Sequence, residues 1–402
     1  MPRHDISQQQ IRVLVTGAGG PAAVSVIKSL ELDPTVQLLA ADMDPWAAGL
    51  YLVPPDARTL IPAGLDPDFA STVLARCAAL GVHVLIPTVD AEMRPLAQAR
   101  DEYAAAGVEL LLAPARALDL TLDKLALARC CAGQVRVPRT ERFDDTLDAE
   151  SWDYPVVLKP RTGSGSRDIS VVASAVELAA VARSEEFIVQ EYLPGEEYSI
   201  DVLSDTRSHV IAAVPRVRAR VDSGVSVAGR TLHDPELELF GVTVASLTGL
   251  TYISNVQARR DVAGRASLLE VNPRAPGALP LTMASGVNMP RLALDVLRGL
   301  PVPDHVDFRE VAMVRFLDER FMDLSEVQKV AACARPPGSP APAACGPATW
   351  SPSTRTTTST RPSPTTRSAP WPRTSARPGS GVLRSSSSPT TCARAHPGCR
   401  IS

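Results

Sequence analysis

Glu270 and Asn272 stand two apart in Leu268-Leu269-Glu270-Val271-Asn272-Pro273-Arg274. Residues two apart on a strand share a face. A carboxylate and an amide oxygen side by side suit a hard cation with oxygen ligands, such as Mg2+ (or Mn2+) bridging phosphates. Gln257, in ISNVQARRD, can add a third oxygen from an adjacent strand. Arg274 follows at once, placed to neutralise a developing acyl phosphate. Polar residues alternating on a half-exposed strand are the plain alternative. It explains the polarity but not the rigid sequence around it.

Lys159 ends the apolar run Val156-Val157-Leu158 and precedes a Gly-rich loop, Arg161-Thr162-Gly163-Ser164-Gly165-Ser166-Arg167. A lysine closing a buried strand is badly placed unless it meets an anion. The loop offers backbone N–H groups, hydroxyls and guanidiniums that can wrap a polyphosphate. It lacks the GK[ST] ending of a P-loop, and by itself it is equally a flexible turn. Downstream, Glu191-Tyr192-Leu193 ends one strand, Pro194-Gly195 turns, and Glu197, Ser199 and Asp201 share a face of the next. Glu197 can hold both hydroxyls of a ribose, or the pair is an ordinary hairpin. Lys124 lies on a helix, where a lone lysine is usually solvated.

A second Gly-rich turn, Thr16-Gly17-Ala18-Gly19-Gly20-Pro21, joins a strand to a helix, with Asp42 after the next strand. This resembles a dinucleotide fingerprint and by itself reads as an NAD(P)-dependent oxidoreductase. Pro21 falls inside the motif, and a tight structural turn is the stronger reading.

The elements that must position these residues follow from periodicity. Residues 11–113 alternate short runs rich in Val, Leu and Ile (IRVLVTG, VQLLAADMD, VHVLIPT, VELLLA) with helical stretches, one of them DAEMRPLAQARDEYAAAG. That predicts a doubly wound α/β domain around a parallel sheet. A helix through LDKLALARCC follows, and residues 114–328 then carry an α+β pattern. Its strands are YPVVLKP, ISVVA, FIVQEYL, EYSIDVLS, HVIAAVPRVRARV, TYISNVQARRD and ASLLEVNP. Residues 215–231 are expected to line a substrate pocket, with Arg216 and Arg218 binding a substrate carboxylate or forming a solvated basic strand.

Composition narrows the classes. Residues 1–328 hold thirty-one basic against forty-four acidic residues, a balance of −13 that leaves no nucleic-acid footprint. No apolar run is long enough to span a membrane, and the polar start lacks an apolar signal core. The seven cysteines form no CxxC pair and no zinc spacing, which fits a reducing cytoplasm. From Lys329 onward ten basic residues stand without one acidic residue, among Pro, Ser, Thr and Ala. Residues 329–402 are expected to be a disordered tail and read best as out-of-frame coding sequence.

Lys124, LKP with its Gly-rich loop, QEYLPGEEYSIDV and LLEVNPR, in that order, resemble the ATP-grasp superfamily. APGALPLTMASGVNMPRLALDVLRG and PTVDAE are similar to the branch that holds the large subunit of carbamoyl-phosphate synthase. The resemblance covers residues 11–328. It implies a pre-ATP-grasp domain at 1–113, a small ATP-grasp subdomain at 114–190 and a C-terminal one at 191–328. It also implies that Lys124 and Lys159 bind the ATP phosphates and adenine edge, while Gly163–Arg167 closes over the phosphates. Glu191, Tyr192 and Leu193 would hold the adenine and Glu197 the ribose. Glu270, Asn272 and, more weakly, Gln257 would ligate Mg2+, and Arg274 would face the acyl phosphate. The implied activity is a cytoplasmic carboxylate–amine ligase acting on small molecules, with no nucleic-acid or membrane partner and room for a homodimer. The chain has one module and no glutaminase domain. A non-catalytic ATP-binding module and a ligase damaged at its C-terminus are the other readings.

Overall fold

The computed structural model describes residues 10–163 and 168–332. The expected tail from 333 and the loop residues Ser164, Gly165, Ser166 and Arg167 lie outside them.

The N-terminal third is an alternation of strands and helices. It runs β1 (Ile11–Val15), α1 (Pro21–Leu30), β2 (Val36–Asp42), β3 (Arg58–Leu60), α2 (Phe69–Leu80), β4 (Val84–Ile86), α3 (Asp90–Gln98), α4 (Arg100–Ala105) and β5 (Glu109–Leu110). The strands form a parallel sheet in the order β3-β2-β1-β4-β5. Ile11, Val13, Leu14 and Val15 are inaccessible, as expected of parallel strands covered on both faces. β1 is central, so the turn after it and the turn after β4 open at the same edge of the sheet, the usual place for a site in such folds. The stretch expected as one helix from Asp90 is two. Pro95 cannot donate to the preceding turn, and Ala99 breaks the helix at φ −88°, ψ 9°.

Helices α5 (Ala115–Thr121) and α6 (Lys124–Cys131) lead on. The helix expected through LDKLALARCC is α6, which starts at Lys124, and α5 before it was not anticipated. Asp123 separates them by accepting from the amides of Leu125 and Ala126, an N-cap that starts a new helix. Then come β6 (Thr140–Arg142), β7 (Val156–Pro160), β8 (Ser170–Val172), α7 (Ala175–Ala180) and β9 (Phe187–Glu191), with an antiparallel sheet ordered β6-β9-β7-β8. Its own small core is built on Phe143, Trp152, Val156, Leu158 and Leu178.

The remainder is a six-stranded antiparallel sheet ordered β14-β13-β10-β11-β12-β15. Its strands are β10 (Glu197–Ser204), β11 (Val210–Asp222), β12 (Val225–Thr231), β13 (Tyr252–Arg260), β14 (Ala266–Asn272) and β15 (Ala312–Val314). Helices α8 (Pro235–Thr248), α9 (Leu279–Ala284), α10 (Met289–Leu297) and α11 (Leu324–Ala332) accompany it. β3, β6, β12 and β15 were not anticipated. They are short or polar, and pairing with a neighbour's ladder rather than their own pattern makes them strands. The tail boundary is corrected as well. α11 runs past Lys329 to Ala332, because Val327 and Val330, three apart on one helical face, pack into the core at 5% and 7% exposure. No helix among the described residues is long and apolar enough to cross a membrane.

Candidate active site

A cleft of about 630 Å³ lies between the turns at the edge of the parallel sheet and the six-stranded sheet. One wall is Gly17, Gly19, Gly20, Asp42, Asp90 and Glu92. The facing wall holds Glu197, Arg216, Arg218, Gln257, Glu270, Asn272 and Arg274.

Antiparallel pairing aligns the acceptor groups. Gln257 stands opposite Glu270 and Asn255 opposite Asn272 across β13 and β14. A register shift beside Gln257 displaces Leu269 from the ladder, so Glu270 and Asn272 keep their common face beyond it. Glu270 accepts no hydrogen bond among the described residues. Its Oε2 lies 3.7 Å from Lys124 Nζ, and that ammonium also donates to the carbonyl of Gly163 at 2.8 Å. Lys159 is 5% exposed. Burial lowers its ammonium to about 8. Glu270 and Glu197 pull the value up, and Lys124 pushes it down. Two ammonium groups therefore converge behind Glu270, where a polyphosphate would neutralise both.

The cleft side of the same strand carries Arg274. Its guanidinium forks onto Asp90 at 2.7 and 2.9 Å and reaches Asn272 Oδ1 at 3.4 Å. Burial alone would lower the pKa of Arg274; Asp90 reverses the shift and holds it above the ordinary value. Asp90 comes from the first turn of α3, so the parallel-sheet part fixes a residue of the antiparallel part.

Asp201 is a second organising acid. It is inaccessible and receives Arg216 Nε at 2.9 Å and Nη2 at 2.6 Å, Asn255 Nδ2 at 2.7 Å and Thr282 Oγ1 at 2.5 Å. Arg216, anticipated as a substrate ligand, thus has two of its nitrogens committed to Asp201. Arg218 is different. It bridges to Glu197 at 3.1 Å and to the carbonyl of Gly224, yet its buried Nε has no partner. The buried hydroxyl of Ser226 has none either, and it lines the same cleft.

Two other anticipated residues are braced by charges far away in sequence. Arg161 forks onto Asp123, the cap of α6, so this guanidinium ties the Gly-rich loop to the helix carrying Lys124. Glu191 is held by Arg136 at 2.8 Å and by the amide of Arg139 at 3.0 Å. Tyr192 is half-buried, and Leu193 is buried at 3% exposure just after it.

The Gly17 turn is built as a wall. Gly17 takes φ +67°, and a Cβ there would lie 2.5 Å from Val89, so only glycine serves. Asp42 spends its carboxylate on the amides of Gly19 and Asp44 at 2.7 and 2.9 Å. The group that would bind a nicotinamide ribose is thus consumed by the turn itself.

Residues 183–320 match the family model described as "ATP-grasp in the biosynthetic pathway with Ter operon", and residues 13–111 match "PylC-like, N-terminal domain". The chain carries an ATP-grasp module. It is 29% identical over 228 residues to the carbamoyl phosphate synthase large chain of Thermomicrobium roseum, half of this chain and 21% of that one. The corresponding large chain of Clostridium acetobutylicum is 26% identical over 215 residues, 48% of this chain and 20% of that one. The chain spans about a fifth of the length of these curated relatives. Among solved structures, the ADP complex of N5-carboxyaminoimidazole ribonucleotide synthetase superimposes with TM-score 0.62 at 15% identity, covering 77% of this chain and 83% of that one. The Campylobacter jejuni biotin carboxylase gives 0.60 at 17%, with 73% and 72% covered. The Bacillus licheniformis L-amino acid ligase gives 0.57 at 17%, with 72% and 75% covered. These likenesses establish the ATP-grasp fold of the module. Of the acids that position its cations, Asp90 and Asp123 were not singled out in the sequence, and Asp201 was noted only as sharing a face with Glu197. Only the partnered arginines could have pointed to them.

Proposed function

We propose that the chain is an ATP- and Mg2+-dependent ligase that activates a substrate carboxylate for attack by an amine. The observation that carries this reading is the placement of Glu270. One side of it meets Lys124 and Lys159, and the other opens on the cleft that holds Arg274. A metal there would sit between a nucleotide and a substrate. The donor set fits Mg2+: one carboxylate without a hydrogen-bond donor on it, plus the amide oxygens of Asn272 and Gln257, all hard oxygens. Bound there, the metal would supply charge stabilisation to the transferring phosphoryl group.

Lys159 and Lys124 are read as the phosphate clamp, with Gly163 and the loop after it as the cover. Glu191 to Leu193 and Glu197 would hold the base and ribose. Glu197 is already oriented by Arg218. Arg274, kept in place by Asp90, faces the oxygens of the activated carboxylate and needs no reorganisation when charge develops there. Arg218 Nε and Ser226 Oγ, buried and unpaired, are the donors for a substrate carboxylate, while Arg216 holds the strand beneath them. The wall from Gly17 to Pro21 completes the pocket and would exclude water from a reactive acyl phosphate.

Phosphate release measured over pairs of small carboxylates and amines tests this. Release from ATP that requires both members of a pair, and a condensed product, is the expected result. Reduction or oxidation of a nicotinamide by the same protein, with no ATP turnover in any pair, would overturn the reading.

A further inference from the structure

Attack on an activated carboxylate needs an uncharged nitrogen. A primary amine in neutral water is an ammonium, so one proton must leave before the C–N bond forms. On the ligase reading the departing phosphate lies on the side of Lys124 and Lys159, and the nitrogen comes from the opposite, parallel-sheet wall. That wall carries Asp42, Asp44, Asp90 and Glu92. Asp42 has both oxygens on the amides of Gly19 and Asp44, Asp90 is forked by Arg274, and Asp44 is exposed to water. Glu92 is the remaining acid of the four. It is 4% exposed, receives the Thr16 hydroxyl at 2.5 Å and makes no ion pair among the described residues. Burial opposes, and Asp90, Glu270 and Glu92 together sustain, the charge of the Arg274 guanidinium, so Glu92 lies within reach of the group that faces the acyl phosphate.

The surroundings of Glu92 suit a cation with a hydrocarbon body. Ile61, Pro62, Ala63 and Val89 line the same wall, and apolar surface of this kind gains from covering an alkyl chain. The segment before Gly64 can lie against α3 because that residue has no side chain: a Cβ there would stand 2.9 Å from the carbonyl carbon of Ala91. Across the cleft, Arg218 Nε and Ser226 Oγ are buried and unpaired. An acid without a cation on one wall thus faces donors without an acceptor on the other, a pattern that a ligand completes.

We propose that Glu92 takes the proton from the acceptor, which enters as a primary alkylammonium with its hydrocarbon body against Ile61, Pro62, Ala63 and Val89. The inference rests on the ligase reading. Glu92 binds the ammonium as a carboxylate and accepts one proton. The freed lone pair forms the C–N bond, and the C–O bond to the phosphate breaks with its electron pair going to the phosphate oxygen. The second proton leaves the nitrogen on the departing phosphate, and the Glu92 carboxyl returns its proton to water. Burial, with Asp42 adding, pushes that carboxyl up to about 7, against the Thr16 hydroxyl and the amides of Val89 and Thr88, which makes it a better proton acceptor than an exposed acid. The titratable and charged groups facing it are Asp42 on β2, Tyr103 on α4 and Arg274 after β14, with Asp90 on its own helix.

The test gives the full chain ATP, magnesium and each of a set of small carboxylates. Primary alkylamines and α-amino acids are the acceptors in one series, and hydroxylamine, uncharged at neutral pH, in the other. Glu92→Gln keeps the Thr16 hydrogen bond and cannot take a proton. Its amide formation should fall by about 100-fold or more, while hydroxamate formation, which needs no base, stays at the wild-type rate. Equal loss with both nucleophiles, or no loss with either, would overturn the inference and leave the ligase reading standing. Should that variant not fold, the wild-type profile decides. At saturating ATP, amide formation should climb to about pH 7 and stay level to pH 8; a climb continuing through pH 8 means that the amine enters uncharged, and the inference fails. A wild-type protein that makes neither amide nor hydroxamate removes the ligase reading and this inference together.

Discussion

At the scale of single residues, burial sets two titrations that the site depends on. Lys159 is held at about 8 by burial, reinforced by Lys124 and opposed by Glu270 and Glu197. Its folded value lies below its unfolded one, so it costs stability below pH 8, and that cost fades as pH rises toward 10.5. Nucleotide binding runs the opposite way, because the phosphates need the ammonium. Affinity for Mg-ATP should fall above pH 8 by up to about tenfold per unit, and Lys159→Arg should flatten the profile. Calorimetry at pH 7, 8 and 9 checks both, and a flat wild-type profile would remove Lys159 from the phosphate site. Glu92 carries the complementary case. Burial raises its carboxyl to about 7, against the Thr16 hydroxyl and the amides of Val89 and Thr88, with Asp42 adding to the rise. A raised acid costs stability once ionised, a cost that is absent below pH 4.5 and complete above about 7. Glu92→Gln keeps the hydrogen bond from Thr16 and removes the charge. It should melt higher than wild type at pH 8 and level with it at pH 5, whereas a deficit at both would show that the carboxylate is needed to hold the turn. The common face of Glu270 and Asn272 was legible because strand period alone decides it. The forks of Arg274 on Asp90 and Arg216 on Asp201 were not, since pairing between charges distant in sequence leaves no local pattern.

At the scale of elements, most strands and the long helices were legible in the alternation of apolar runs, and the boundaries were less so. The helix expected from Leu122 starts two residues later, and the Asp123 cap is what places Lys124 at the first turn of α6, facing Gly163 and Glu270. Short strands such as β3 and β15 owe their state to a neighbour's ladder, which periodicity cannot register. The end of α11 shows the same limit in energetic terms. Composition turns at Lys329, yet Val330 is buried near β3, and Glu326 bridges to Arg58 at 2.8 Å. A chain ending at Ala332 should keep the melting curve of the full chain. One ending at Gln328 loses a buried valine and half a helix and should lose roughly 2 kcal/mol. Equal stabilities in a urea titration of the two would show that α11 contributes nothing to the core.

At the scale of the molecule, the cleft exists because two sheets of different origin face each other across it. The parallel sheet presents a turn that resembles a dinucleotide site, although the sequence favoured a structural turn there and the later loop as the nucleotide site. The structure assigns the two turns different surroundings: Asp42 satisfies the amides of its own turn, while Lys124 and Lys159 converge behind Glu270. The most direct test is calorimetric titration of residues 1–332, and of their Glu270→Gln variant, with ATP and magnesium and separately with NADH and NADPH. The account predicts magnesium-dependent ATP binding, no nicotinamide binding, and magnesium dependence lost in a variant that melts no lower than wild type. Acceptor-dependent turnover in that variant should drop by roughly 100-fold or more. Tight nicotinamide binding without ATP binding, or a stable Glu270→Gln protein that keeps magnesium-dependent ATP binding unchanged, would contradict it.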